Sequence, residues 1–260
     1  MTLFSNLDIK IQNEFTNNNL ISFVHSYYDP EQYKTSVIPN WNNWNNIIYE
    51  YIKNFTRENI VKNLHGKENY PVGDLQYKEG GASFYYCKLL DNYDVKNKKI
   101  AIIGSETPWL EAIVYNYGCR DITTVEYNKP LITHENFKII SYDEFKNLNM
   151  KYDMIISYSS IEHSGLGRYG DEINPNGDIN TMNAIYEHLT DDGFIGIGIP
   201  IGKDTLVWNA NRIYGTYRLQ LLLEKFNILE WYGGDESCLN TIPMYGGIYT
   251  YQPILLCNKK

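Results

Sequence analysis

The chain of 260 residues is long enough to bury a sizeable core, and 43% hydrophobic with 21% charged residues is ordinary globular usage. These values exclude a disordered or fibrous chain. Lysine and arginine number 23 against 31 aspartates and glutamates, which gives a formal net charge of −8. Proteins that bind duplex nucleic acid normally carry a basic excess, so we expect no nucleic-acid partner.

No segment of the sequence has the features of a membrane anchor or an export signal. No apolar run approaches the roughly 20 residues that a bilayer-spanning helix needs. Residues 1–8 lack the charged and apolar regions of a secretory signal. The cysteines are too widely spaced for a metal-binding pair or a disulfide framework; they are Cys87, Cys119, Cys238 and Cys257. We therefore expect a reduced, cytoplasmic protein without a membrane span.

The hydrophobic pattern divides the chain into two parts. Residues 1–95 give a weak signal, and we interpret them as a helical and looped amino-terminal extension. From Lys99 onward, short apolar runs alternate with helical segments, which predicts an α/β domain over residues 96–260. The extension is expected to cover one edge of that domain, where it would contribute substrate contacts or an oligomer surface.

Apolar or β-branched runs in the second part predict five strands. They are Ile100–Gly104, Ile122–Glu126, Ile139–Ser141, Met154–Tyr158 and Phe194–Pro200. A helix is predicted after the first strand, with Pro108 in its first turn and Gly118 at its carboxyl-terminal cap. Further helices are predicted from Asp178 to about Leu189 and around Ile213–Phe226.

Strands that alternate with helices favour a mainly parallel sheet whose two faces are both covered. A turn predicted at Thr190–Gly193 leads into the fifth of these strands. In such a sheet, ligands bind at the carboxyl ends of the strands. We therefore expect a Rossmann-like α/β fold with its functional residues in the segments that follow strands.

The turn after the first strand and the acid that ends the second strand together suggest a nucleoside site. Gly104 lets a ligand approach the backbone, and Glu126 can accept hydrogen bonds from both hydroxyls of a ribose. The turn Gly104–Trp109 has one glycine and an added acid, Glu106, unlike dinucleotide or phosphate-binding loops. A ligand with a ribose, an amino group and a positive centre suits it better, and S-adenosylmethionine has all three. The alternative is that Gly104 only makes a tight turn and Glu126 is solvated.

Two later segments resemble motifs of the class I S-adenosylmethionine-dependent methyltransferases. Tyr152–His163 is similar to their fourth-strand segment, and Asp191–Pro200 is similar to the turn and strand of their fifth. The resemblance implies a mainly parallel sheet of the class I methyltransferase type, with S-adenosyl-L-methionine as cofactor, Glu126 on the ribose, and Tyr142 or Asp143 beside adenine. The cofactor site predicted in this way comprises Gly104, Ser105, Glu106, Glu126, Tyr127, Tyr142, Asp143, Ser157 and Ser159.

Longer segments resemble one branch more closely, a methyltransferase-like family of unknown-function domains. They are Gly104–Glu111, Thr123–Asn128, Ser159–Asp171 and Gly202–Gly215. That family was first noted in nematodes and is also found in bacteria, often near polysaccharide genes, and the likeness covers roughly residues 70–260. A role in polysaccharide synthesis is what this resemblance implies.

His163 is the predicted catalytic base. It follows the fourth strand, at the mouth of the expected crevice, and imidazole has an intrinsic pKa near 6.5, which suits proton transfer at neutral pH. Glu162 beside it is the alternate base. The alternative is that His163 caps local backbone or packs against the sheet.

Two segments supply the predicted acceptor site. The glycine-rich, polar loop 165–178 is too irregular to be core, and long loops of this kind tend to be functional. The second segment, residues 203–214, follows the fifth predicted strand. The lysine and arginine side chains in these two segments suit an anionic, hydroxyl-bearing substrate. The predicted acceptor residues are Arg168, Tyr169, Asp171, Lys203, Asp204, Asn209, Arg212 and Tyr214. Asp171, Glu172 and Asp178 could instead hold a divalent cation, or Asp178 could cap a helix, and we predict no metal site.

These features together predict an enzyme that transfers a methyl group from S-adenosyl-L-methionine to a sugar hydroxyl. The acceptor is expected to be a nucleotide-linked sugar, for example a heptose, for capsule or another surface polysaccharide. Two alternatives stay open: methylation of a small phosphorylated metabolite, and a non-catalytic binding or assembly module in glycan biosynthesis. The sequence is also compatible with a homo-oligomer.

Overall fold

Ten strands form two sheets in the computed structural model, which describes residues 3–26, 43–63, 81–127, 129–243 and 250–260. In chain order they are β1 (Ser22–His25), β2 (Lys99–Ile103), β3 (Asp121–Glu126), β4 (Phe137–Ser141), β5 (Tyr152–Tyr158), β6 (Leu189–Gly198), β7 (Thr205–Trp208), β8 (Asn211–Ile213), β9 (Phe226–Tyr232) and β10 (Ile254–Lys259). The larger sheet has seven strands in the order β4-β3-β2-β5-β6-β10-β9, and the smaller has the order β1-β7-β8.

Five neighbouring strands of the larger sheet run parallel. β2 pairs with β3 and β5, β3 pairs with β4, and β5 pairs with β6, all in parallel. β10 pairs antiparallel with β6 on one side and β9 on the other. β2 and β3 are buried along almost their whole length because their two faces are both covered, as parallel sheets require. The prediction of a Rossmann-like, mainly parallel sheet is confirmed.

Helices cover both faces of the larger sheet. One core contains Ile100 and Ile102 of β2, and the helices Ile48–Asn54, Arg57–Asn63, Ala82–Asp91 and Trp109–Asn116 contribute to it. The other core contains Ala101 and Ile103, and the helices Tyr142–Asn147, Gly177–His188 and Thr216–Leu222 contribute to it. Successive residues of β2 point to opposite faces, so the strand contributes to both cores.

The amino-terminal part contributes a strand as well as helices. After the helix Ile9–Thr16, β1 pairs in parallel with β7, which pairs antiparallel with β8. Phe4 and Phe15 pack edge-on against the ring of Trp208, at centroid distances of 5.1 and 5.3 Å. Residues 27–42 and 64–80 of the predicted extension lie outside the described residues. The division of the chain at residue 95 stays a prediction.

Some predicted elements differ from the structure. The helix predicted around Ile213–Phe226 begins only at Thr216, because residues 205–213 form the β7–β8 hairpin. The turn predicted at Thr190–Gly193 falls inside β6, where the pairing with β5 shifts register between Tyr152 and Met154. Gly118 has φ +101 just after the helix Trp109–Asn116 and thus occupies the left-handed position predicted for it.

Two further observations concern the whole described chain. Within it, no helix is both long enough and apolar enough to cross a membrane. The cysteines are buried and form no disulfide; Cys87 and Cys119 belong to one core, and Cys238 and Cys257 to the other. Burial raises the pKa of Cys257 and Cys119, so these thiols stay protonated and behave as core side chains.

Candidate functional site

A cavity of about 390 Å³ lies at the carboxyl ends of β2, β3 and β5. This is where a parallel sheet presents its ligand crevice. The predicted residues that line it are Gly104, Ser105, Glu106, Glu126, Tyr127, Tyr142, Ser159, His163, Arg168, Tyr169 and Asp171. The structure therefore brings predicted cofactor residues and predicted acceptor residues together in a single pocket.

The backbone after β2 turns sharply at Gly104. This residue has φ +71, and its N–H donates to the carbonyl of Val125 at 3.0 Å. A Cβ placed on Gly104 would lie 2.0 Å from Ser160 Oγ, in the segment that follows β5. Glycine is required here for both its conformation and its lack of a side chain.

We expect Gly104→Ala to damage this part of the pocket. The substitution forces an L-residue into the left-handed region, at about 1–2 kcal/mol, and displaces Ser160. Stability measured by urea unfolding should fall by at least that amount. Gly234→Ala is the matched control, because its Cβ would lie 3.2 Å from Pro253 Cβ and its φ is not in the left-handed region. Equal stability of Gly104→Ala and the native chain would contradict the requirement for glycine.

Glu126 is held in place by backbone donors on both of its oxygens. The N–H of Ser105 donates to Oε1 at 2.5 Å, and the N–H of Tyr127 donates to Oε2 at 3.0 Å. The side chain is 94% buried yet lines the cavity. Its carboxylate is thus oriented by the turn after β2 and can present acceptor oxygens to a ligand.

Tyrosine rings form one wall of the cavity. Tyr127 follows β3 and Tyr142 follows β4, and their ring centroids lie 5.5 Å apart with a 38° tilt. The hydroxyl of Tyr142 donates to Thr181 Oγ1 at 3.3 Å. Flat, largely apolar side chains with polar tips suit the planar base of a nucleoside.

Glu162 and His163 lie in a short helical turn directly after β5. Ser159, at φ +52, donates its hydroxyl to Glu162 Oε1 at 3.0 Å, while Glu162 Oε2 is buried without a hydrogen-bond partner. Burial raises the pKa of Glu162 to about 7. Near neutral pH, the Glu162 carboxyl group therefore exists as a mixture of its neutral and ionised forms.

His163 is a neutral imidazole in this structure. Its Nδ1 lies 2.5 Å from the carbonyl oxygen of Ala210, and Nε2 lies 3.7 Å from Glu162 Oε1. Because a carbonyl only accepts, Nδ1 carries the proton and Nε2 keeps its lone pair. Burial, together with the guanidiniums of Arg168 and Arg212, lowers the pKa of His163 to about 3. The pKa of His163 is thus well below the intrinsic value near 6.5 on which the sequence-based prediction depends.

The glycine-rich loop after His163 is ordered by Asp171. Its carboxylate accepts from the N–H groups of Gly165 at 2.7 Å, Gly167 at 3.3 Å and Tyr169 at 3.2 Å. Arg168 donates from Nη1 to the carbonyl of Ala210 at 3.1 Å. The carboxylate therefore holds the loop together, and because Asp171 also lines the cavity, its contact with sugar hydroxyls stays a prediction.

Two predicted cofactor residues lie outside the cavity lining. Ser157 is buried within β5 and donates its hydroxyl to the carbonyl of Ile103 at 2.9 Å, which ties β5 to β2. Asp143 has an 85% exposed side chain paired with Lys146 at 2.8 Å. Their predicted contacts with the cofactor are therefore not supported.

The predicted acceptor residues after β6 do not line the cavity either. Lys203 is exposed, and Asn209 is buried between β7 and β8. Asp204 accepts from the N–H groups of Gly215, Tyr217 and Arg218 and so caps the helix Thr216–Leu222. Tyr214 is buried and donates its hydroxyl to Asp178 at 3.1 Å. Asp204 and Tyr214 thus support the fold, and the anion-binding role predicted for this segment stays a prediction that the cavity lining does not support.

Arg212 belongs to a buried ionic cluster behind the loop. Asp178 pairs with Arg218 Nη2 at 2.5 Å and lies 3.6 Å from Arg212 Nε. Arg212 also donates to the carbonyls of Ser164 at 2.6 Å and Asn174 at 3.3 Å. Burial opposes ionisation of Asp178, but the two guanidiniums outweigh it and hold its pKa below the usual value. Neither the acceptor contact predicted for Arg212 nor the helix-cap or metal role considered for Asp178 is found.

Several lining residues were missed by the sequence analysis. They are Ile103, Thr107, Trp109, Val125, Tyr158, Ser160, Ser164 and Thr181. Trp109 and Tyr158 lie perpendicular at a centroid distance of 5.6 Å. Tyr158 ends β5, so the rule that functional residues follow strands would have found it.

The donor set of the cavity fits a nucleoside better than a metal ion. Glu126 offers a fixed carboxylate and the tyrosines offer flat surfaces, whereas Asp171 is engaged by backbone donors. Nowhere in the described chain do three or more His, Cys, Asp or Glu side chains converge as a metal site would require.

The chain is similar to one family of known proteins and to several solved structures. The family described as "Caenorhabditis protein of unknown function, DUF268" matches residues 97–243. Curated proteins include no match to the sequence. A Streptococcus mutans structure assigned to the SAM-dependent methyltransferases is 14% identical, with a TM-score of 0.42, and the match covers 65% of this chain and 46% of the other. The present chain thus spans about half the length of that protein.

Two further structures are matched over most of their length. A 1,6-didemethyltoxoflavin-N1-methyltransferase from Burkholderia thailandensis, with bound 1,6-didemethyltoxoflavin and S-adenosylhomocysteine, is 12% identical with a TM-score of 0.45. That match covers 90% of this chain and 92% of the other. A TehB-like SAM-dependent methyltransferase from Corynebacterium glutamicum is 14% identical with a TM-score of 0.42, over 82% of this chain and 98% of the other.

Proposed function

Since the chain belongs to the family described as Caenorhabditis protein of unknown function, DUF268, and the matched region contains the cavity, we propose that the cavity binds S-adenosyl-L-methionine and that the protein is a methyltransferase. The observation that carries the proposal is the Glu126 carboxylate, fixed by two backbone donors at the cavity and next to the Gly104 turn. This arrangement supports a ribose with its two hydroxyls on Glu126.

The charge of the cavity supports the same ligand. Its described lining contains the carboxylates of Glu106, Glu126 and Asp171 against the guanidinium of Arg168. S-adenosyl-L-methionine carries a sulfonium and an ammonium against one carboxylate, so its net positive charge complements this excess of acids. We assign the adenine to the rings of Tyr127 and Tyr142, which line the cavity side by side. The sequence resemblance implies Tyr142 or Asp143 beside adenine.

For the acceptor we propose the hydroxyl of a small, uncharged molecule such as a sugar. Lys203 and Arg212, which favoured an anionic acceptor, do not line the cavity, and an acceptor phosphate would face its acids. Aromatic side chains such as Trp109, Tyr158 and Tyr169 suit the apolar face of a sugar ring. A place in surface polysaccharide synthesis rests on the family resemblance.

When bound, S-adenosyl-L-methionine supplies a methyl group activated by its sulfonium. Held at Glu126, it would give that methyl group to the acceptor oxygen and leave as S-adenosylhomocysteine, and the hydroxyl proton would pass to a base. We assign that base to His163 Nε2, whose lone pair is set by the bond from Nδ1 to Ala210. When Glu162 is ionised, its carboxylate stabilises the imidazolium that forms, because Oε1 lies 3.7 Å from His163 Nε2.

The cofactor assignment is tested by substituting Glu126. Glu126→Ala should weaken binding of S-adenosylhomocysteine, measured by isothermal titration calorimetry, by about 1.5–3 kcal/mol, because hydrogen bonds to a charged group have this size. Glu187→Ala is the matched control, since Glu187 is an exposed acid near the other end of the sheet. The control should bind as the native chain does.

The outcomes separate the enzyme from the alternatives. A folded Glu126→Ala chain that binds S-adenosylhomocysteine as tightly as the native protein removes the ribose assignment. A native chain that binds neither S-adenosyl-L-methionine nor its product favours a non-catalytic module in glycan biosynthesis. Turnover of a phosphorylated acceptor in preference to a neutral sugar would favour the small-metabolite alternative.

A further inference from the structure

A second acidic side chain, Glu111, lies beneath the nucleoside end of the cavity and is not part of its lining. It belongs to the first turn of the helix Trp109–Asn116 and is fully buried. Glu111 Oε1 accepts from the hydroxyl of Thr124 at 2.8 Å, and Oε2 lies 3.0 Å from the hydroxyl of Ser105. Its carboxyl group thus joins β3 to the turn after β2.

The number of protons available in this cluster determines whether Glu111 is protonated or ionised. Ser105 Oγ lies within hydrogen-bond distance of two acceptors, the carbonyl of Thr107 at 3.1 Å and Glu111 Oε2 at 3.0 Å. A hydroxyl has one proton and can donate to only one of them. If Glu111 is protonated, it donates to Ser105 Oγ, and Ser105 donates to Thr107, so both pairs are satisfied.

An ionised Glu111 leaves this cluster incomplete. Either the carbonyl of Thr107 or one carboxylate oxygen would then face Ser105 Oγ without a proton between them. Burying a charged carboxylate away from water is costly. Burial raises the pKa of Glu111 to about 7, against the opposing effect of hydrogen bonds from Thr124, Ser105 and its own backbone. The described charged group linked to the cluster is Glu126, which accepts from the N–H of Ser105.

We propose that Glu111, in its protonated carboxylic acid form, positions the cofactor-binding turn by donating a hydrogen bond to Ser105. The proposal rests on the proposed function only for the identity of the cofactor. Ser105 is the link, because its hydroxyl meets Glu111 while its N–H donates to Glu126 at 2.5 Å. Glu111 therefore acts through Ser105 on the carboxylate assigned to the ribose and touches no ligand itself.

Two substitutions of Glu111 separate hydrogen bonding from simple packing. Glu111→Gln keeps a donor for Ser105 and an acceptor for Thr124, so it should bind S-adenosylhomocysteine with nearly native affinity. Glu111→Leu keeps a similar volume but removes both hydrogen bonds, and its affinity should fall by about tenfold or more. Affinity is measured by calorimetry on the full chain, with circular dichroism to show that each variant is folded.

The protonation state is tested without any ligand. Infrared difference spectra between the native chain and Glu111→Gln, recorded at pH 6, should contain the carbonyl stretch of a protonated carboxyl group. Glu162 is a second buried acid with a pKa raised to about 7, so the native-minus-Glu162→Gln spectrum provides the reference for its separate band.

The affinity measurement and the infrared measurement test separate parts of the proposal. Absence of the Glu111 band, or loss of affinity in Glu111→Gln equal to that in Glu111→Leu, would overturn the neutral donor. An unchanged affinity in folded Glu111→Leu would overturn the positioning role. If the band is present but the native chain does not bind S-adenosylhomocysteine, the cofactor proposal fails while the neutral state of Glu111 stands.

Discussion

Replacing His163 with asparagine should lower kcat by about 10²–10⁴-fold, the usual contribution of a general base. Asparagine can keep a hydrogen bond to the carbonyl of Ala210 but offers no basic nitrogen in place of Nε2. Affinity for S-adenosylhomocysteine should change little, because the cofactor contacts that we propose are made by Glu126, Tyr127 and Tyr142. The measurement is turnover of S-adenosyl-L-methionine with a saturating sugar acceptor.

The chain offers a matched control in His188. This histidine is also buried, and its Nδ1 lies 3.0 Å from the carbonyl of Met150, but it ends the helix Gly177–His188 away from the cavity. His188→Asn should keep native turnover per folded molecule. If His163→Asn turns over within a few-fold of the native chain, the assignment of the base is wrong.

The pH profile identifies the group that controls His163. The pKa of His163 is held at about 3, so the imidazole is neutral throughout the working range. Glu162, with a pKa of about 7, is protonated below that value and ionised above it. Turnover should therefore rise as pH increases through about 7, with an apparent pKa that belongs to the pair. An acid limb that persists unchanged in Glu162→Gln would contradict this.

The largest loss of stability is expected from Asp178→Ala. The substitution leaves the guanidiniums of Arg212 and Arg218 buried without their shared counter-ion. Removing one partner from a buried ionic pair costs about 3–5 kcal/mol, because the remaining charge cannot recover its hydration. Urea unfolding followed by circular dichroism measures the change in the free energy of unfolding.

An exposed acid provides the comparison for Asp178. Asp191 is fully exposed and pairs with Lys259 at 3.6 Å, so Asp191→Ala should leave the unfolding midpoint within measurement error. A loss for Asp178→Ala no larger than that for Asp191→Ala would show that the buried cluster does not support the fold. Because Arg212 also holds the carbonyls of Ser164 and Asn174, the loop beside the cavity should loosen in the damaged variant.

The parallel sheet could be predicted because its strands are buried on both faces. Such strands consist of continuous apolar or β-branched residues, as in residues 100–103 and 122–125, and Gly104 and Pro200 mark the ends of two of the predicted strands. The β7–β8 hairpin was missed because its strands are only four and three residues long. Strands this short carry too few residues for a period to be recognised.

The placement of residues at the ends of strands could be predicted from the sequence, whereas contacts between distant segments could not. Gly104 and Glu126 follow from their places at strand ends. Arg212 was expected to bind a substrate anion, yet it is engaged by Asp178, 34 positions earlier in the chain. A sequence shows the charge of a side chain, but the partner that neutralises it is chosen only when the fold brings both together.

The position of β10 affects how this protein folds while it is being synthesised. β6 and β9 leave the ribosome before β10, yet each pairs with β10 in the finished sheet, and not with the other. Until β10 emerges, β6 and β9 each lack a neighbour that they have in the native sheet, and unpaired edges recruit other chains. Nascent molecules interrupted near residue 250 should therefore be the species that chaperones capture, since β10 follows both of its neighbours in the chain yet lies between them in the sheet.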